Sequence, residues 1–424
     1  MRACACGRRV QIAVLAAIFA AMAVFAGGAS AVSRGHGNNG NHGRGPGANG
    51  HHGRGPAGHG HHGRGPSGGQ QSFVNRIFAS GDGIMHSTPT GGEQISQPDD
   101  ITRLGNHIYV AFQNGVGPQG EPSTTGNLDS TVVEFDLSGR AVKQWDLAGK
   151  CDGLTADRAQ GGVIATVNED ANSSLYVIDP HGSATHFHYT TALPSNGGTD
   201  AITVYHGRVL ISASAPGTTG AAAPQPSYPA VYQAAFDAKS DTVTVTPLFF
   251  DEAQATLANL NSPQAGAPQQ LALTDPDSSS RVPGYAARFG GDFMLTSQGD
   301  QEQIFVRHPG KPDQSLSVLK LSSSVDDTAW PSSARGALLT TDNSNNTINE
   351  ITGRFPHGSV FVADTPCDES SAPSTCPGPG FPANFLGQLN PFTGQITPVA
   401  LSGPAVEPQG MLFVPGSRLS KHDH

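Results

Sequence analysis

The chain has 424 residues and a formal net charge of −10, with 14% charged residues, 54 glycines and 32 prolines. That density of glycine and proline weakens helix interiors and excludes a coiled coil or helical bundle. The acidic balance excludes a typical nucleic-acid binder, which needs a basic surplus to neutralise phosphates.

Residues 1–31 read as a secretory signal. Arg2, Arg8 and Arg9 form a positive start, Val10 to Phe25 an apolar run, and Ala29-Ser30-Ala31 a small-residue cleavage site. The Arg8-Arg9 pair leaves a twin-arginine route open beside an ordinary one. The apolar run is short and soon followed by Gly27-Gly28, so no integral membrane span is expected in the mature chain. The expected location is secreted, outside the cell.

Residues 32–71 are low in complexity. His42-Gly43-Arg44-Gly45-Pro46 recurs at 52–56 and at 62–66, and seven of the 17 histidines lie in this stretch. With almost no bulky apolar residue it cannot bury enough surface to offset ordering entropy. It reads as a tether, with loose binding of transition metals by its imidazoles as the sharper option. Seven of the 24 basic residues and none of the 34 acidic ones precede residue 72, so the remaining body holds 17 basic against 34 acidic, a net of −17. Such a body repels anionic partners and attracts cations.

Cys4 and Cys6 leave with the signal. Cys367 and Cys376 bracket a short Pro/Ser-rich loop and form the candidate disulfide of an oxidising compartment. Cys151 has no identifiable base beside it and reads as a small buried residue.

From residue 72 to 418 the pattern is short β-rich runs broken by Gly, Asp, Asn and Pro, followed by a short tail at 419–424. The first unit starts at Pro98-Asp99-Asp100-Ile101 and continues through Ile108 to Phe112, Thr131 to Asp136 and Val142 to Trp145. The second starts at Asp152-Gly153-Leu154 and continues through Val163 to Val167, Leu175 to Asp179 and Thr185 to Tyr189. A third runs from Asp200 to Leu248. A fourth begins at Leu271-Ala272-Leu273 and ends at Leu321. A fifth places Asp326 to Trp330, Ala337 to Thr341, Thr347 to Ile351 and Val360 to Ala363 in one sheet. A partial sixth spans Phe385 to Val414, and the early strand Phe73 to Phe78 would complete it. Four-strand meanders recurring about every 50 residues are the signature of a β-propeller. The fold class is therefore all-β, with six blades favoured and seven left open by the unassigned stretches 250–270 and 365–383.

In such a blade the residues opening the innermost strand lie where the central channel meets one face. Here they are Asp99/Asp100, Asp152, Asp200, Asp275/Asp277 and Asp326/Asp327, with Gln409 in the last repeat. Turns between the second and third strands add Asn168-Glu169-Asp170 and Asp342-Asn343 on the same face. Two carboxylates about 4 Å apart in a medium of intermediate dielectric repel by roughly 4 kcal/mol. The ring therefore calls for a cation, bound protons or hydrogen bonds. Calcium, with six to eight oxygen ligands, is the natural ion. Alternatively each Asp accepts backbone N–H groups and braces one blade against the next. Both roles stay open.

The Pro98-Asp99-Asp100-Ile101…Ile108-Tyr109-Val110-Ala111 and Asp152-Gly153-Leu154…Gly161-Gly162-Val163-Ile164-Ala165-Thr166 units resemble blades of the gluconolactonase-like and NHL-like six-bladed propellers. The rhythm covers most of residues 98–414, whereas identity is confined to short motifs. That resemblance implies a metal held by Asp, Asn and Glu of inner strands, polarising a lactone or ester carbonyl. By position it points to Asp200, Asp326 and Asp327, with Asn168 and Glu169 as further ligands; Asp152 of the ring completes the candidate metal set. A hydrolase would need a base near the metal. His186 and His188 fall in an outer strand and His206 in a far-face turn, so Glu169 or an unligated Asp suits better. Gly65-Pro66-Ser67-Gly68-Gly69 and Ser317-Val318-Leu319-Lys320 match catalytic patterns in the wrong structural context and are rejected.

The expected protein is a secreted monomer. Its acidic, calcium-binding channel face would take a small molecule or an extracellular protein or glycan. A metal-dependent lactonase- or esterase-like hydrolase using the same face is the alternative, and whether the protein is an enzyme stays open.

Overall fold

The computed structural model describes residues 72–88, 91–194, 198–216, 227–367 and 384–416. Residues 1–71, with the signal and the histidine-bearing repeats, lie outside the described residues, as do the 419–424 tail and Cys376 of the expected disulfide.

Among the described residues there is no helix, and so none long and apolar enough to cross a membrane. The chain opens with β1 (Phe73–Ser80) and a hairpin of β2 (Met85–Thr88) and β3 (Gly91–Gln94). A meander follows: β4 (Pro98–Leu104), β5 (His107–Phe112), β6 (Asp129–Asp136) and β7 (Ala141–Ala148). The next is β8 (Cys151–Asp157), β9 (Gly162–Val167), β10 (Ser174–Ile178) and β11 (Ala184–Tyr189). A third is β12 (Thr199–Tyr205), β13 (Arg208–Ala213), β14 (Pro229–Asp237) and β15 (Thr242–Phe250). These three units are the ones expected from the sequence, and their strands pair antiparallel in chain order. The second strands read as continuous apolar runs because both faces are covered: all six residues of β9 are buried. The outermost strands alternate, as in β7, where Trp145 and Leu147 are buried between exposed or half-buried neighbours.

The fourth unit differs from expectation. β16 (Gln254–Leu257) and β17 (Pro268–Gln270) form an outer hairpin. The inner strand is β18 (Pro276–Arg281), followed by β19 (Phe293–Ser297), β20 (Glu302–Arg307) and β21 (Ser315–Lys320). Leu271 and Leu273, expected to begin that inner strand, are buried outside any strand. The true strand is Ser-rich because it borders a polar channel, and a Pro-Asp-Ser run reads locally as a turn.

The last two units are interleaved. β22 (Val325–Ala329) is followed by a hairpin of β23 (Gly336–Asp342) and β24 (Thr347–Thr352), which does not pair with it. β22 instead pairs with β25 (Val360–Asp364), which leads to β26 (Phe385–Leu389) and β27 (Ile396–Pro398). The β23–β24 hairpin is held between β29 (Met411–Pro415) and the N-terminal β1, beside the two-residue β28 (Leu401–Ser402). The expected contiguous fifth blade is thus corrected: its strands belong to two sheets. Trp330-Pro331 ends β22, and Pro331 lacks the N–H that a returning ladder would use. The early strand joins β29 in one sheet as expected, but Phe385–Leu389 and Ile396–Pro398, expected in that same sheet, lie with β22 instead.

The inner strands β4, β8, β12, β18, β22 and β29 neighbour one another in that order, and β29 returns to β4. The interfaces between successive units hold the apolar cores. Tyr109, Ala111 and Val132 meet Leu154, Val163 and Ala165, for example, and Ile108, Val110 and Phe112 close the circle against Leu339, Ile348 and Val414. Each fully buried Val, Leu, Ile or Phe side chain of this kind contributes about 1.5–3 kcal/mol. The fold is a β-propeller. Its circular closure leaves the inner strands facing a central channel.

Candidate functional site

Five of the six inner strands, all but β29, share one distortion. Pairing with the second strand slips between Pro98 and Ile101, Cys151 and Leu154, Thr199 and Ile202, Pro276 and Ser278, and Val325 and Thr328. A bulge frees residues from the ladder and re-aims them. Hydroxyls of the preceding unit lock these bulges in place. Thr166 Oγ1 donates to the Asp200 carbonyl at 2.6 Å and Ser212 Oγ to that of Pro276 at 3.2 Å, while Thr341 and Ser278 do the same for Asp99 and Asp326.

Two kinds of aspartate result. Asp100 Oδ1 accepts its neighbour Ile101 N–H and Oδ2 accepts Leu154 N–H of the next inner strand, both at 2.6 Å. Asp327 repeats this with Thr328 at 2.6 Å and Met411 at 2.7 Å. These are the bracing carboxylates. Asp99, Asp152, Asp200, Asp277, Asp326 and Gln409 line a channel cavity of about 1420 Å³ at one end.

Lys150 lies within this ring. Its Nζ is 2.8 Å from Asp152 Oδ1 and also pairs with Glu169. Gln113 Nε2 donates to the same Asp152 oxygen at 2.9 Å. Neither Lys150 nor Gln113 was singled out from the sequence; a lysine two residues before a ring aspartate was the available signal. Asp152 and Asp200 are buried. The orphaned atoms are acceptors: Asp152 Oδ2, Asp277 Oδ2 and Gln409 Oε1 are buried without a hydrogen-bond donor.

Burial pushes the Asp99 carboxyl up to about 7; Glu169 and Asp327 add to this, while Lys150 and Gln113 pull it down. Asp152 and Asp200 are driven well above the carboxylate range by burial and then by Glu169, and Asp277 by burial and then by Asp326. Burial raises Asp327 to about 6 against the pull of its two N–H donors. Burial draws the Lys150 ammonium down, but Asp152, Glu169 and Asp99 together outweigh it and hold the proton more firmly than in water. Cys151 has its thiol driven well upward by burial and by Asp152, which fits a buried residue and not a nucleophile.

No family model matches the chain, and no curated protein matches it. Among solved structures, the chain is similar to the periplasmic gluconolactonase of Pseudomonas aeruginosa, with 13% identity, a TM-score of 0.43, and coverage of 81% of this chain and 99% of that one. It is also similar to a protein of unknown function from Bacteroides thetaiotaomicron, with 13% identity and a TM-score of 0.41 over 80% of this chain and 66% of that one, just under two thirds of that protein's length. A third is the β-propeller domain of Cps50 from Myceliophteria thermophila, with 12% identity and a TM-score of 0.37 over 80% of this chain and 89% of that one.

Of the candidate metal residues, the structure brings Asp152, Asp200, Asp326, Asp327 and Glu169 to the channel lining. Asn168 is engaged elsewhere: it sits at a φ of 65°, its Oδ1 accepts Lys150 N–H at 3.0 Å, and its Nδ2 donates to the Asn172 carbonyl at 3.3 Å. Asp275 is likewise engaged by Gly299 N–H at 3.1 Å, which leaves Asp277 as that unit's channel residue. Asp342 accepts N–H groups of Asn345 and Glu407 and orders its own turn. Among the described residues, no three His, Cys, Asp or Glu side chains converge in a metal-holding group. His186 stacks on Tyr176 with centroids 4.2 Å apart and contacts Ser174, a structural role on an outer strand.

Proposed function

We infer that this propeller is an exported binding module whose acidic channel mouth takes a cation or a cationic group. The observation that carries the reading is the set of buried acceptors without donors: Asp152 Oδ2 and Asp277 Oδ2 on two inner strands, and Gln409 Oε1 on the segment that leads into a third. An unmatched buried acceptor costs about 1–3 kcal/mol, which a ligand supplying positive charge or N–H donors would relieve. Calcium is the candidate ion, because it accepts irregular, partly water-completed oxygen sets. Asp152 and Asp277 would hold it, with Gln409 as a neutral ligand. The spread of the donors disfavours a transition metal gripped by three side chains.

Titration calorimetry of the full chain with calcium and, separately, with a short alkyl diamine tests this. Saturable binding of either, lost in Asp152→Asn/Asp277→Asn, supports the reading. No binding of either overturns it.

A second reading, a lactonase- or esterase-like hydrolase, is favoured by Asp99. Its carboxyl near pH 7, on the channel wall with Lys150 and Glu169, matches what a general base needs at neutral pH. Turnover of a lactone and ester panel, abolished by Asp99→Asn in a folded protein, would establish it. No turnover across the panel would dismiss it.

A further inference from the structure

The inner strands run from the carboxylate ring to the other end of the channel, where the charge reverses. Arg103 is the penultimate residue of β4, Arg158 directly follows β8, and Arg281 ends β18. All three line the same cavity. On β4, Asp99 and Arg103 are four residues apart, about 13 Å along an extended strand. Asp157 is the carboxylate among the described lining residues at this end. Its Oδ1 is already engaged by the N–H groups of Ala159 at 3.0 Å and Gln160 at 3.2 Å.

Unmatched polar atoms follow the same division. The ring end leaves acceptors without donors. At the arginine end, Ser280 Oγ and Trp330 Nε1 are buried without a partner, and both residues line the cavity. Trp330 is only 8% exposed, and its backbone carbonyl accepts the Tyr285 hydroxyl at 2.8 Å, which fixes the loop beside Arg281.

We propose that this second mouth is an oxyanion subsite, in which Arg158 and Arg281 take a phosphate or carboxylate group, while Arg103, whose Nε donates to the Gly105 carbonyl at 2.9 Å, adds positive charge beside them. Guanidinium forks suit such planar or tetrahedral oxyanions, and the hydroxyl of Ser280 offers a neutral donor beside them. With the acidic ring about 13 Å away, the channel fits an elongated ligand anionic at one end only. The subsite stands independently of what the ring binds.

Calorimetric titration of the full chain with inorganic phosphate and with acetate tests it. The expected result is saturable binding of at least one anion with a Kd of about 1 mM or tighter. Arg158→Gln and Arg281→Gln should each weaken it about tenfold. Arg140→Gln, on a remote exposed turn, should leave it unchanged. Phosphate binding without acetate binding would name the phosphate class, and the converse the carboxylate class. Absence of binding by both anions overturns the proposal, as does binding that survives both arginine substitutions. Arg158 is exposed, so its variant separates lost binding from lost folding, which thermal melting confirms.

Discussion

The carboxylate of Asp327 accepts the backbone N–H of Met411, on the neighbouring inner strand, at 2.7 Å. Asp100 holds Leu154 in the same way at 2.6 Å, and each also accepts the N–H of the residue that follows it. One carboxylate thus satisfies two amides freed by a bulge and ties two units together. Asp327→Ala and Asp100→Ala are each expected to cost about 2–4 kcal/mol, the penalty of two unpaired buried N–H groups. Asp327→Asn should cost less, since its amide oxygen can still accept one of them. Urea unfolding measures this, and losses under about 0.5 kcal/mol would show the bracing to be minor.

Stability should fall as pH rises from about 4 to about 7. The Asp99 carboxyl titrates near 7 when folded but near 4 when unfolded, so the native state binds more protons across that window. The stabilisation is complete below the unfolded value and is lost as pH rises through the folded one. Asp152, Asp200 and Asp277, also raised, act with the same sign. Asp99→Asn should flatten the profile. Melting temperatures at pH 5 and pH 8 check this, and a protein more stable at pH 8 contradicts it.

Lys150 is the cation already built into the ring. Lys150→Met leaves Asp152 and Glu169 without their 2.8 Å and closer partner. The expected destabilisation is about 3 kcal/mol at pH 8. At pH 5 it should shrink, because the carboxyls raised by burial are then protonated. Equal losses at both values would mean that the lysine acts through packing alone.

Gly153 occupies the bulge of β8, at the position Asp100 holds on β4. A Cβ there would overlap the Asp200 carbonyl oxygen and lie 2.5 Å from Thr166 Oγ1, which itself accepts the Gly153 N–H at 2.9 Å. Gly153→Ala is expected to cost about 1–3 kcal/mol and to displace Asp152 from the ring. Denaturant unfolding reads the first effect, and weakened cation binding in the folded variant reads the second.

Much of the fold was legible because a propeller repeats its local physics. Second strands covered on both faces, such as Gly162–Val167, read as unbroken apolar runs, and an aspartate marks the start of nearly every inner strand. The acidic channel mouth followed from that repetition. Two features were not legible. Pro276–Arg281 carries no apolar residue after its proline, because it borders the channel, and so it resembles a turn. The Gly336–Thr352 hairpin has the right pattern for either neighbouring sheet, and local periodicity does not say which edge it joins. At the site, the sequence determined that carboxylates gather at one mouth. Only the tertiary structure showed that, of the aspartates lining the channel, Asp100 and Asp327 turn their oxygens to backbone N–H groups, whereas Asp152 pairs with Lys150 and Asp277 keeps an oxygen without a donor. The physical reason is that adjacent residues of a bulge point in different directions, and what each one meets is supplied by strands some 50 to 80 residues away.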